Sequence, residues 1–221
     1  MEFDFSPLLM NWRFLGNGVI VTILLSIVSA VGATMLGGTI GLARAYGPRW
    51  VTVPLAFYVD TMRAIPVLVV LIWTYFAFPL VAGITLPHFA AASLALILHI
   101  AAYVSEIVRS GVGSVRPGQT RAGLALGMSK AQVVRKIVLP QAIVRVLPAY
   151  GSILSITIKD TAIATVIAVP EFMHQSETIA SQSLRPMEVF TTAMVIYFLL
   201  LFPVTRGVDR IYRRVAHLGR S

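Results

Sequence analysis

The sequence predicts an all-α integral membrane protein with five transmembrane helices. Three observations support this prediction: 57% of the 221 residues are hydrophobic, only 12% are charged, and the charges are absent from long apolar runs. Soluble domains contain about 25% charged residues. Because a bilayer core of about 30 Å needs about 20 apolar residues per helix, the runs are long enough to cross it several times.

The first predicted span covers residues 18–43, within a charge-free run that begins at Phe14. The next charge-free run, 64–105, is too long for one helix, and Pro79, Gly83 and Pro87 divide it. Together with the hydropathy of the remaining chain, this predicts the other spans at 53–78, 88–108, 147–169 and 189–205. Residues 1–17 form an N-terminal segment outside this transmembrane domain of 18–205, and 206–221 form a basic tail.

The basic residues fix the orientation of these spans. Fourteen of the 18 Lys and Arg residues fall on one face of a five-span arrangement: Arg44, Arg49, Arg109, Arg116, Arg121, Lys130, Arg135, Lys136, Arg145, Arg206, Arg210, Arg213, Arg214 and Arg220. Cytoplasmic loops are enriched in such residues. The N-terminus is therefore predicted outside the cell and the C-terminus in the cytoplasm. The net charge of +9 is explained in the same way, without nucleic acid.

Small residues recur at four-residue steps in the first span, at Ala33, Gly37 and Gly41. Such steps allow two helix backbones to approach closely. The pattern is compatible with packing inside one subunit or with a face kept for a second subunit.

The loop between the third and fourth spans, 110–146, carries its own predicted secondary structure. One short helix is expected over 121–126 and stops at Gly127. Ser129 and Gln132 fit a capping box for a second helix.

This second loop helix is expected over 130–138, because Pro140 disfavours helical geometry in the residue before it. The loop would then lie at the membrane surface. It could be an amphipathic connector on anionic headgroups or a docking site for a soluble partner.

Two pairs of ionisable residues lie near the cytoplasmic ends of spans. Asp60 and Arg63 are three residues apart, as are Glu106 and Arg109, so each pair shares one helix face. Both pairs are expected to be neutralised as ion pairs, with a purely structural role or a role in holding an inward gate.

Lys159 and Asp160 lie near the middle of the fourth span, where a charge costs about 2.5–3.5 kcal/mol on insertion scales. Adjacent helical residues do not face each other, so they cannot simply cancel. Ser152 and Ser155 align with Lys159, and Thr161 lies beside Asp160. These residues are candidates for a translocation pathway, or for a buried network that joins the fourth span to its neighbours.

Several classes of site are absent from the sequence. No Gly-Lys dipeptide occurs, which excludes a phosphate-binding loop of the GxxxxGK[ST] kind, and the four histidines do not cluster as metal ligands. No catalytic triad or nucleophile elbow is evident. We therefore expect no metal, no cofactor and no enzymatic activity on this chain. The outer segment that carries Glu171 and Glu188 is expected to be a contact for another protein or a solvated loop.

The loop and its flanks resemble permease subunits of ABC importers in the polar amino acid uptake family. That family shows GQ-x-EAA-x-x-LG-x-S-x-x-Q followed by I-x-LPQA, together with YVD-x-x-RG-x-P, AY-x-x-E-x-x-RGG and KDT. The chain matches these at Gly118-Gln119, Ala122, Leu126-Gly127, Ser129, Gln132, Ile137, Leu139 to Ala142, Tyr58 to Pro66, Ala102 to Gly111 and Lys159 to Thr161. Two positions of the loop motif depart: Arg121 replaces the family's Glu, and Gly123 its second Ala.

The resemblance implies a type I ABC importer transmembrane domain with a cytoplasmic coupling-helix loop in a bacterial inner membrane. Coupling to the ATPase would involve Arg121, Ala122, Gly123, Leu126, Gly127, Ser129 and Gln132. The implied partners are two ATPase subunits that hold ATP and Mg, a second identical or paralogous permease subunit, an extracytoplasmic amino-acid-binding protein and membrane lipid. An ABC permease for another organic solute, an ion-coupled secondary transporter and a membrane scaffold are the alternatives.

Overall fold

A computed structural model describes residues 3–216 of the chain, and these residues are helical with no β-strand among them. The helices in chain order are α1 (Ser6–Met10), α2 (Trp12–Tyr46), α3 (Arg49–Ala64), α4 (Val67–Ala82), α5 (His88–Gly113), α6 (Pro117–Ala125), α7 (Lys130–Ile167), α8 (Phe172–Ser183) and α9 (Pro186–Val215). Four of them are long and apolar enough to cross a membrane, and the bent pair α3 and α4 can supply a fifth span. The predicted fold class is confirmed.

Helix α5 is the centre of the molecule, and α2 packs along it. A Cβ atom on Gly37 would lie 2.4 Å from the carbonyl oxygen of Ala101, and one on Gly41 would lie 2.7 Å from that of Ser105. Ala33 on the same face is completely buried. The small residues of the first span therefore serve packing inside this subunit, which was one of the two predicted roles.

The second predicted span, 53–78, is not one continuous helix. Helix α3 ends at Ala64, α4 begins at Val67, and their axes differ by 107°. Ile65 is extended, with φ −90° and ψ 134°, because the ring of Pro66 disfavours helical geometry in the residue before it. The break brings the end of α3 and the start of α4 to one place beside α5.

Pro140 does not end the second loop helix, which corrects the prediction of a helix limited to 130–138. A π-helical turn, Val134–Val138, joins the first turn of α7 to the α-helical segment Leu139–Asp160. The amide of Leu139 bonds to the carbonyl of Val134, five residues earlier. In a regular α-helix the ring of a proline collides with the carbonyl group four residues earlier, and the wider turn moves that carbonyl away. Pro140 is also at the start of the α-helical segment Leu139–Asp160, where a proline is tolerated because its missing amide hydrogen costs little.

The same arrangement occurs in α4, where the π-helical turn Trp73–Ala77 precedes Pro79. Helix α4 therefore continues to Ala82 and ends at Gly83, whose φ of +68° is left-handed. In α7, likewise, the loop helix and the fourth predicted span are one continuous element.

The segment before the last span is a packed helix, which argues against the solvated loop, one of the two alternatives for it. Phe172 and Ile179 of α8 pack with Leu8 of α1 and Val189 of α9. Glu171 caps α8 by accepting hydrogen bonds from the amides of its first turn. Helix α9 then runs into the predicted basic tail as far as Val215, and Arg220 lies outside the described residues.

Candidate functional site: a cavity at a broken helix and an exposed loop surface

Helix α6 ends in a Schellman motif. The amide of Met128 donates to the carbonyl of Gly123 at 3.1 Å, and the amide of Gly127 donates to that of Leu124 at 3.0 Å. Gly127 has a φ of +78°, a conformation that residues with a side chain rarely adopt. This turn sets the angle between α6 and α7.

Helix α7 starts with the predicted capping box. The amide of Ser129 donates to Gln132 Oε1 at 2.8 Å, and the amide of Gln132 donates to Ser129 Oγ at 3.3 Å. A small core under the two helices, formed by Val115, Val133, Val138 and Ala142, fixes them to the membrane-facing part of the chain.

The departure at position 123 has a packing reason. A Cβ atom on Gly123 would lie 2.8 Å from Ile137 Cδ1 and 2.9 Å from Val133 Cγ2. Because Gly123 lacks the methyl group of the family's Ala, α6 can lie directly on α7. Gly123 is therefore buried beneath the surface that its neighbours form, and it does not belong to that surface.

The other predicted coupling residues form one exposed patch, which we call the loop surface: Arg121, Ala122, Leu126, Gly127, Ser129 and Gln132. Leu126 is 83% exposed, and Leu124 beside it is 41% exposed. Among residues 3–216, no carboxylate lies within ion-pair distance of Arg121. The patch combines apolar side chains with an unneutralised guanidinium, a composition suited to contact with another protein.

A cavity of about 400 Å³ lies where α3 breaks into α4, against α5 and α7. We call it the break cavity. Its polar side chains are Arg63, His99, Tyr103 and Asp160, and its apolar wall includes Ile153. The first amides of α4 have no intrahelical acceptor, as at every helix start, and Val67 is part of the lining.

Asp60 and Arg63 are not an ion pair, which corrects that prediction. No nitrogen–oxygen contact within 4.0 Å joins them in the part of the chain that the structure describes. The guanidinium of Arg63 instead lies over the ring of Tyr103, 5.6 Å from its centroid. The helix break ends α3 immediately after Arg63, and that side chain is part of the cavity lining.

Asp160 lines the same cavity and is half-buried. Neither a hydrogen bond nor an ion pair within residues 3–216 satisfies its carboxylate. Arg63 and Asp160 are thus opposite charges that face one cavity without contacting each other.

Lys159 faces a different cavity, of about 390 Å³, between α7 and α9. Ser152 and Ser155 line this second cavity with Lys159, as their helical spacing predicts, and Asp209 of α9 lies opposite. The serine hydroxyls donate to backbone carbonyls one turn earlier. Lys159 and Asp160 therefore lie on different surfaces of the helix, as expected for adjacent helical residues.

Thr161, which was predicted in the pathway, is not part of the lining of the break cavity or of the cavity at Lys159. It is completely buried at the start of the 3₁₀ turn Thr161–Ile167, and its hydroxyl donates to the carbonyl of Ile158 at 2.7 Å. The change from α to 3₁₀ geometry turns this side chain into the core.

The predicted pair of Glu106 and Arg109 is present, with Arg109 Nε 3.2 Å from Glu106 Oε2. The structure adds Arg44 of α2, whose Nη1 lies 3.0 Å from the same oxygen. Arg44 is 9% exposed at its side chain, so this bridge between α2 and α5 is largely shielded from solvent. Sequence reasoning missed it because the two residues are 62 positions apart.

The chain matches a known family over most of its length. Residues 33–217 match the sequence model of the family described as "Binding-protein-dependent transport system inner membrane component". The glutamine transport system permease protein GlnP of Escherichia coli K12 is 31% identical over 97% of this chain and 99% of its own length. The arginine transport system permease protein ArtQ of Bacillus subtilis is 31% identical over 95% and 97%.

Solved structures show the same fold. A chain from the crystal structure of an amino acid ABC transporter with histidines superposes with a TM-score of 0.89 at 29% identity, over 97% of this chain and 100% of that one. An inward-facing MetNI methionine ABC transporter gives a TM-score of 0.81 at 21% identity, over 93% and 97%.

These matches confirm the resemblance that the loop and its flanking motifs indicated. The chain belongs to the family of inner membrane components of binding-protein-dependent transport systems, and it is a permease subunit of the ABC importer type.

Proposed function

We propose that this permease forms the pathway by which a polar or charged amino acid enters the cell, driven by ATP that separate ATPase subunits hydrolyse. The relatives named for glutamine and arginine transport support an amino acid cargo. ATP and Mg would be bound on the ATPase subunits, because this sequence has no phosphate-binding loop.

One observation carries the cargo assignment: Arg63 and Asp160 both face the break cavity, and neither is in an ion pair within residues 3–216. An amino acid backbone carries one carboxylate and one ammonium group. Arg63 and the free amides of α4 suit the carboxylate, and Asp160 suits the ammonium group. Each such charge-assisted bond is worth about 1.5–3 kcal/mol.

The loop surface is proposed as the contact with the ATPase. The exposed side chains of Leu124 and Leu126 suit an apolar cleft on the ATPase. Arg121 would pair with a carboxylate of the ATPase, whereas the Glu that the family has at this position would pair with a basic residue. Since α7 is continuous from Lys130 to Ile167, ATP-driven movement of the loop would displace Asp160 and the cavity wall with it. Two packings biased by nucleotide satisfy the requirements of alternating access.

In the assembled importer we expect two permease subunits, two ATPase subunits and an extracytoplasmic binding protein in a bacterial inner membrane. The positive-inside rule places the loop surface in the cytoplasm and α8 on the outer side. The Arg44–Glu106–Arg109 cluster would hold α2 and α5 together near the cytoplasmic end. The second cavity, with Ser152, Ser155 and Lys159, would form part of the route between the break cavity and the cytoplasm.

The broken helix also favours one alternative, because ion-coupled secondary transporters place substrates at discontinuous helices. The two mechanisms differ in energy source. Uptake that stops on ATP depletion and survives an ionophore supports the ABC mechanism, and the reverse pattern supports ion coupling.

The residue assignment is tested by two neighbouring substitutions. Asp160→Asn removes the proposed ammonium ligand, so amino acid uptake per assembled complex should fall about 10- to 100-fold. Lys159→Ala is the comparison, because it removes an adjacent charge that lines the proposed route and not the break cavity, and it should reduce uptake less than Asp160→Asn does. Full uptake by Asp160→Asn would remove this carboxylate from the substrate site.

A further inference from the structure

His99 of α5 is a buried polar side chain. It is 6% exposed, and its Nδ1 has no hydrogen bond within residues 3–216. Its ring lies against that of Tyr103, with 5.3 Å between the ring centroids. An unsatisfied buried polar group costs about 1–3 kcal/mol, so its retention calls for an explanation.

Other buried polar side chains of α5 are satisfied within the subunit. Ser93 donates to the carbonyl of Phe89 at 2.8 Å, and Ser105 receives a bond from Arg44 at 3.4 Å. His99 differs from both because it lines the break cavity. Nδ1 itself is sealed from solvent, so a ligand in the cavity would meet this imidazole through the remaining part of its ring.

The charges around the cavity limit what that partner can be. Arg63 and Asp160 are the only lining residues with acidic or strongly basic side chains, and their charges cancel. A bound zwitterion uses both of them. A further charge on the substrate side chain would then enter a partly desolvated site without a counter-charge, which is costly.

An uncharged imidazole offers one donor and one acceptor. A side-chain carboxamide also offers both, and it carries no net charge. An aliphatic or thioether side chain would leave the imidazole unsatisfied, and a site with an unpaired polar group discriminates strongly against such a ligand.

We infer that His99 is a specificity-determining residue of the break cavity and that it selects a zwitterion with an uncharged, hydrogen-bonding side chain. This inference rests on the proposed function, in which Arg63 and Asp160 bind the substrate backbone. It narrows the cargo from polar or charged amino acids to neutral polar ones.

The test measures equilibrium binding to the purified permease–ATPase complex without the binding protein, whose own selectivity would mask that of the cavity. The probes are glutamine, the near-isosteric methionine, lysine and glutamate. The wild-type complex should bind glutamine at least about tenfold more tightly than methionine, and more tightly than lysine or glutamate. In His99→Leu the glutamine-to-methionine ratio should fall to about 1.

His99→Asn keeps a donor and an acceptor and should restore part of the preference, which separates hydrogen bonding from packing. Ser93→Ala is the control, since it alters another buried polar residue of α5 outside the cavity lining, and it should leave the ratio unchanged. An unchanged ratio in His99→Leu, or wild-type preference for methionine, lysine or glutamate, overturns the inference while amino acid binding itself stands. If none of the four probes binds the wild type, the proposed substrate site fails as well.

Discussion

At the scale of single residues, Glu171 shows how a buried carboxylate links folding to pH. It is completely buried between α2, α8 and α9, in the segment that joins two spans. Burial raises the pKa of its carboxyl group to about 7, although amides of Met173 and His174 and the hydroxyls of Tyr197 and Thr22 donate to it. Removal of a carboxylate from water outweighs these hydrogen bonds.

The raised pKa predicts that the folded protein loses stability as pH increases. The Glu171 carboxyl group binds its proton more tightly in the folded state than in the unfolded state, where its pKa has the ordinary value of 4.5. The contribution of Glu171 is therefore fully present below about pH 4.5 and is lost as pH rises to about 7, with a magnitude of about 3 kcal/mol. Thermal unfolding of the detergent-solubilised protein at several pH values measures it.

Glu171→Gln is the reference for this measurement, because it cannot titrate. Its melting temperature should fall less between pH 5 and pH 7.5 than that of the wild type. Parallel pH profiles for the two proteins would show that Glu171 does not titrate in this range.

At the same scale, the sequence could identify unusual residues but not their partners. Lys159 and Asp160 were singled out because charges in an apolar span are costly, and both do line cavities. Which cavity each one faces depends on how α7 is rotated against α5 and α9. No pattern within one helix contains that information, and the same is true of His99.

At the scale of helices, the contact between α2 and α5 predicts a sharp difference between two adjacent glycines. In Gly37→Ala the new methyl group would meet the carbonyl of Ala101 at 2.4 Å, so the backbones must separate at a cost of about 1–3 kcal/mol. Gly38→Ala is the matched control, since nothing lies within 4 Å of its added Cβ atom.

The same thermal unfolding assay measures both glycine variants. Gly37→Ala should melt several degrees below the wild type, whereas Gly38→Ala should match or exceed it, because alanine favours the helix. Equal melting temperatures would mean that the two helices do not pack at Gly37.

Helix boundaries could be predicted where the signal was local and not where it depended on neighbouring turns. The capping box at Ser129 and the stop at Gly127 formed as predicted, because both use bonds within a few residues. The effect of proline was assigned to the wrong position. Pro66 breaks a span, whereas Pro140 is accommodated by a preceding π-helical turn that sequence periodicity does not reveal.

At the scale of the whole molecule, the apolar spans predicted the fold class, which the structure and the family match confirm. The proposed mechanism adds a connection between two parts of the chain. Helix α7 connects Gln132, at the edge of the loop surface, with Asp160 in the break cavity, so contact with an ATPase at one end would alter the proposed substrate site at the other.

The most direct test of this account asks on which side of the membrane the loop surface lies. The chain has no cysteine, so single cysteines can be placed at Leu126 and Leu184, which are both 83% exposed. With a membrane-impermeant maleimide, we expect Leu184→Cys to be labelled in intact cells and Leu126→Cys only after permeabilisation. Labelling of Leu126→Cys in intact cells would place the loop surface outside and contradict coupling to a cytoplasmic ATPase.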